Sequence, residues 1–128
     1  MNPQLALTIV GAFYIIQSLG LFFGSGDITA KGFPIELDEN ALLVGKLLHE
    51  AIAGMVASFG VILLFSRQLE ADSARIVCLG GAIGMVAMFA VELKHLFTSV
   101  ATPPIPLMVI QLVCLGLLLF ASRLLKFN

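Results

Sequence analysis

The chain has 128 residues, of which 59% are hydrophobic and only 12% charged, with a formal net charge of −1. A mean hydropathy of +1.06 excludes an ordinary water-soluble domain, whose surface would need far more charge. No Lys/Arg cluster is present to track phosphates, so nucleic acid is excluded as a partner, and the lipid bilayer is the expected surroundings.

Ahead of the first apolar run, residues 1–4 carry no Lys or Arg, and no small-x-small cleavage site follows that run. The first segment is therefore expected to stay in place as a helix rather than be removed as a signal peptide. It runs over 5–23 and is apolar apart from Thr8, Tyr14, Gln17 and Ser18. A Gly-rich, acidic connection from Gly24 to Asn40 leads to a second run over 42–65, and a short polar one from Ser66 to Ala74 leads to a third over 76–98. Ser99 to Pro106 carries three prolines that stop the third segment and start the fourth, over 106–125, where Pro106 suits a first helical position and Arg123 and Lys126 can snorkel.

Segments of this length cross a hydrocarbon layer of about 30 Å, and inside lipid every backbone N–H and C=O needs an internal partner, so they must be helices. The sequence predicts an all-α fold: one transmembrane domain, residues 1–128, forming an up-down-up-down four-helix bundle. Arg67, Arg75, Arg123 and Lys126 then share a side with both termini, against Lys31, Lys46 and Lys94 opposite, which puts both termini in the cytoplasm. Asp27, Glu36, Asp38 and Glu39 fall on the outward connections.

Cys78 and Cys114 lie within apolar segments without a CxxC spacing and read as small buried hydrophobes. The second run holds Lys46, His49 and Glu50 on one broad helical face, and the third holds Glu92 and His95 three apart. By helical rise, Glu50 lies roughly 12 Å into the outer half of the bilayer, level with the Glu92 group. Ionisable groups at such depth turn inward and find partners. In a purely structural reading, Lys46 and Lys94 pair with Glu92 and Glu50 and lock the second and third helices in register.

In a ligand-site reading, His49, Glu50, Glu92 and His95 are the metal-ligand candidates, because Glu92-x-x-His95 has the carboxylate–imidazole spacing of di-iron bundles. The second such pair is missing, and Ala53 removes an HExxH. His49 and His95 could alternatively hold one haem axially. The same four residues are the catalytic candidates for a small membrane enzyme, with His49 or Glu50 as general base and Glu92 or His95 as acid. Tyr14, Gln17, Lys46 and Gln111 are expected to add ligand-binding groups, with Gln111 and Cys114 on one face of the fourth helix. Proton or ion passage is disfavoured, because the inner half supplies little beyond Thr8, Ser58 and Cys78.

Ala53, Gly54, Ala57 and Gly60 on the second run, and Gly80 and Gly84 on the third, predict a tight antiparallel pair of those helices, or a face turned to a partner subunit. The layout resembles the small bacterial four-helix membrane proteins of the DoxX-like group in four features. These are an apolar helix with Gly20, a loop ending Gly32-Phe33-Pro34, a second helix reading Gly45-Lys46 through Glu50 and Gly54, and a proline-bearing start to the last helix. That resemblance implies a multi-pass protein of the bacterial inner membrane with a redox-associated accessory role, and it supplies no catalytic residue. The sequence thus predicts a binding or accessory subunit, homo-oligomeric or part of a larger membrane complex.

Overall fold

The computed structural model describes residues 2–33, 35–98 and 104–122. These form five helices, α1 (Pro3–Phe23), α2 (Ser25–Gly32), α3 (Glu39–Ser66), α4 (Ala71–Thr98) and α5 (Ile105–Ser122), with no strand among the described residues. Four of them, α1, α3, α4 and α5, are long and apolar enough to cross a membrane. They match the four predicted segments, although 123–125 of the expected fourth segment lie outside the described residues. The protein is a multi-pass, all-helical membrane bundle.

The helix starts have local causes. Asn2 caps α1 by accepting from the Gln4 N–H at 2.9 Å, with Pro3 in the first turn, where its missing N–H costs nothing. Asp38 caps α3 by accepting from the Ala41 N–H at 2.7 Å, which starts that helix three residues before its apolar run.

A first correction concerns the connection after α1. Expected to be an irregular Gly-rich loop, it contains α2, whose Asp27 in the first turn and Lys31 in the last suit the helix dipole. Ser25 and Thr29, four apart, are fully buried beneath it. Gly45 makes room for this: a side chain there would collide with Thr29, so only glycine lets α2 lie so close on α3.

A second correction concerns helix pairing. The tight pair is α1 with α3, while α4 packs mainly on α5 and touches α3 only slightly. At the α1–α3 crossing, a Cβ on Gly11 would stand 2.9 Å from the Gly60 carbonyl oxygen, and a Cβ on Gly60 would stand 2.9 Å from that of Gly11. Backbone thus meets backbone, the usual way membrane helices gain dispersion contact when lipid offers no hydrophobic driving force. Of the predicted small-residue stripes, Ala53 and Gly60 are buried, whereas Gly54, Gly80 and Gly84 are exposed with nothing within 4 Å of a would-be Cβ. The sequence marks which faces are small, but not which helix each face meets.

The core runs along α1, where Ala6, Leu7, Val10 and Tyr14 repeat at helical spacing and meet Val56 and Leu63, Ala74, Cys78, Ala82 and Met85, and Cys114, Leu118 and Ala121. Most other large apolar side chains, Ile16, Phe23, Leu48 and Ile83 among them, point outward, as hydrocarbon surroundings allow.

Candidate functional site

Two separate polar groups occupy the α2 end of the bundle. The first joins α2 to α3. The His49 Nδ1 lies 2.8 Å from the Gly45 carbonyl oxygen and 3.1 Å from Thr29 Oγ1, while the Thr29 hydroxyl donates to the Ser25 carbonyl oxygen at 2.8 Å. With its one proton used there, Thr29 can only accept from the imidazole, and a bare Nδ1 would face the Gly45 oxygen lone pair to lone pair. Nδ1 therefore carries a hydrogen, and in the neutral ring Nε2 is left with the lone pair. Beside it the Ser25 hydroxyl donates to Glu50 Oε1 at 3.4 Å, and Lys46 Nζ stands 3.8 Å from the same oxygen. Nδ1, both hydroxyls and the Lys46 ammonium each have a partner here.

The Lys46–Glu50 pair lies within α3 rather than bridging two helices, and among the described residues Lys94 pairs with no carboxylate. The lock that does form is therefore α2 on α3, not α3 on α4. Ser25, Thr29 and Gly45 escaped the sequence reading of this group. Their signal was two small hydroxyls four apart, facing a glycine.

The second group lies between α1, α4 and α5. Tyr14, 1% exposed, stands edge-on to Phe59 of α3, with ring centroids 5.0 Å apart. On its other side it lines a crevice with Met85, Met88 and Phe89 of α4 and Gln111, Leu112 and Leu115 of α5. The crevice holds about 200 Å³ of space between atoms, in slivers too narrow for a water molecule. Gln111, which lines it, has its Nε2 buried without a hydrogen bond, and the same holds for Gln17 Oε1, Arg75 Nε and Glu92 Oε2, whose residues do not line it. Each such atom costs about 1–3 kcal/mol when buried unpaired.

The sequence candidates thus divide. Tyr14 and Gln111 line one crevice, with Gln17 one turn along α1 from Tyr14, while His49, Glu50 and Lys46 sit against α2. His95 lies three residues beyond Glu92 and is half-exposed. The four residues expected to bind a metal are not gathered: among the described residues no group of three or more His, Cys, Asp or Glu could hold an ion. Both cysteines are buried and free, and the Cys78 thiol points to the Pro3 carbonyl oxygen at 3.8 Å, in keeping with small core residues.

Comparison with known proteins gives no match, whether to a family model, a curated protein or a solved structure.

Proposed function

We propose that this is a small multi-pass subunit of the bacterial inner membrane that binds a small molecule or a partner at polar side chains in the outer half of the bilayer. The observation that carries this reading is Gln111 Nε2, buried without a partner where Gln111 lines the crevice beside Tyr14, with Gln17 Oε1 on α1 and Glu92 Oε2 on α4 unpaired as well. Intramembrane polar groups are retained at a cost, and unpaired ones imply something to pair with. The DoxX-like resemblance supplies the redox-associated, accessory character of the role. Outward-facing Gly80 and Gly84 support contact with a further helix, in an oligomer or a larger complex.

An up-down-up-down course with both termini cytoplasmic is supported by Gln4 Nε2 donating to the Leu69 carbonyl oxygen at 3.2 Å, by the Gly11–Gly60 crossing, and by Arg67 and Arg75 near that end. A reporter fused after Asn128 is expected to work as a cytoplasmic one, and activity only outside the cytoplasm would overturn this orientation. Mass spectrometry of the protein purified in mild detergent tests the binding role. A molecule or partner chain near one per protein, lost in Glu92→Leu, is expected, whereas a bare monomer would refute the reading.

A second reading, a small membrane enzyme acting on an apolar substrate, is favoured by the His49 tautomer. With Nδ1–H held by Gly45, Nε2 is the nitrogen free to take a proton. In that reading Glu50 assists the base and Glu92 or His95 supplies the acid. Unchanged turnover in both Glu50→Gln and Glu92→Gln would sink it.

A further inference from the structure

Two helix faces of this chain have no neighbour within it, and they match each other. α3 and α4 are both long and apolar enough to cross the membrane and are joined by residues 67–70 alone. They therefore run in opposite directions, and the depth of a residue follows from its distance to that turn. On the side of α3 away from the buried Ala53, Val56 and Leu63, the exposed residues Ala51, Gly54 and Ser58 stand 15, 12 and 8 residues before the helix end. On α4, exposed Gly80, Gly84 and Ala87 stand 9, 13 and 16 residues after the helix start. The two sets share one spacing and lie within one residue, about 1.5 Å, of the same depth. A side chain on Gly54, Gly80 or Gly84 would meet nothing within 4 Å, so no close approach inside the protomer requires these glycines, although each weakens its own helix. Small residues on a lipid-side face let another backbone come close.

Charge says what that backbone belongs to. Lys94, exposed, stands two helical turns beyond Ala87 on the α4 face, and exposed Glu39 opens α3 at the same end. Neither is in an ion pair among the described residues. Packing α4 on α4 across a two-fold axis would set Lys94 against Lys94, and α3 on α3 would set Glu39 against Glu39, in each case like against like. With α3 on α4 the unlike charges meet. Glu39 stands 27 residues before the end of α3 and Lys94 stands 23 after the start of α4, a difference in depth of about 6 Å that a lysine side chain can span. Copies inserted the same way also share one depth, so a contact between them allows no vertical offset, and the two small-residue sets meet without one.

Resting on the oligomeric side of the reading above, we propose that these faces are covered by a second copy of this chain. The Ala51, Gly54 and Ser58 face of α3 in one protomer packs on the Gly80, Gly84 and Ala87 face of α4 in the next, with Glu39 beside Lys94 at the α2 end.

The test co-expresses two differently tagged full chains and oxidises their membranes with copper phenanthroline. Ser58→Cys in one chain and Gly80→Cys in the other should give a crosslinked pair about tenfold above either substitution carried by both chains. The parent, whose two cysteines are buried, gives the background. Gly84→Leu in both chains should cut the yield about tenfold and leave thermal unfolding unchanged, because its side chain has open space within the protomer. Lys94→Glu should cut it about threefold, and Glu39→Lys in the same chain should restore it. Crosslinking by Gly80→Cys carried in both chains, at the level of the mixed pair, would show α4 on α4 and overturn the pairing. Adducts with a different protein would overturn the second copy as occupant. A monomer without adducts that retains the molecule lost in Glu92→Leu would overturn this inference and leave the binding role standing, whereas a bare monomer would overturn both.

Discussion

The two polar groups at the α2 end are built from similar residues and differ in whether those residues are satisfied. Around His49, the ring Nδ1, the Thr29 and Ser25 hydroxyls and the Lys46 ammonium each meet a neighbour on α2 or α3. Beside Tyr14, Gln111 Nε2 meets none, and neither do Gln17 Oε1 on α1 and Glu92 Oε2 on α4. A closed hydrogen-bond circuit explains itself as packing. An open one, kept in a dry crevice at a cost of about 1–3 kcal/mol per atom, implies a missing participant. The clasp around His49 thus holds α2 down on α3, and the crevice beside Tyr14 is where the proposed binding role is to be tested.

Substitutions that separate these two roles can break or sharpen the contrast. The largest effect is expected from Gly45→Val, which drives a side chain into Thr29 and lifts α2 off α3. It should cost about 1–3 kcal/mol in detergent-titrated unfolding while leaving the co-purified molecule in place. Thr29→Val keeps the shape and removes the hydroxyl, so a loss of about 1 kcal/mol is expected. In nitrogen-15 NMR the His49 ring should keep its Nδ1–H form in that variant, held by the Gly45 oxygen, and a shift to Nε2–H would show the tautomer argument to be wrong. On the other side, Gln111→Leu in ligand-free protein removes an unpaired group and should gain about 1 kcal/mol while binding weakens. Smallest of all, Lys46→Met should move stability by no more than about 0.5 kcal/mol, because its pair with Glu50 is half-exposed and lies within one helix.

Much of this was legible in the sequence because the bilayer imposes it. Each span had to be an apolar run long enough to cross, and all four appear within a few residues of their expected starts. The pairing of α1 with α3 was not legible. Gly11 has Leu7 and Ile15 four positions to either side on α1 and gives no stripe, whereas Gly54, Gly80 and Gly84 belong to conspicuous ones yet face outward. Composition also hid α2, whose eight residues include two glycines and are held mainly by burial of Ser25 and Thr29 against α3. That same error of pairing merged the polar groups. With α3 and α4 taken as neighbours, His49 and Glu50 seemed to meet Glu92 and His95. Instead α4 packs mainly on α5 and touches α3 only slightly, so the two groups are not brought together. Tyr14, Gln17 and Gln111 were visible as polar side chains at helical spacing, but nothing in their spacing told that they would lack partners.

The most direct measurement compares the unfolding free energies of Thr29→Val and Gln111→Leu with the parent protein, all stripped of bound molecules in the same detergent. Opposite signs are predicted, a loss for Thr29→Val and a gain for Gln111→Leu. A loss of similar size in both would mean that Gln111 is already satisfied within the bundle and would contradict the assignment of the crevice as a binding site.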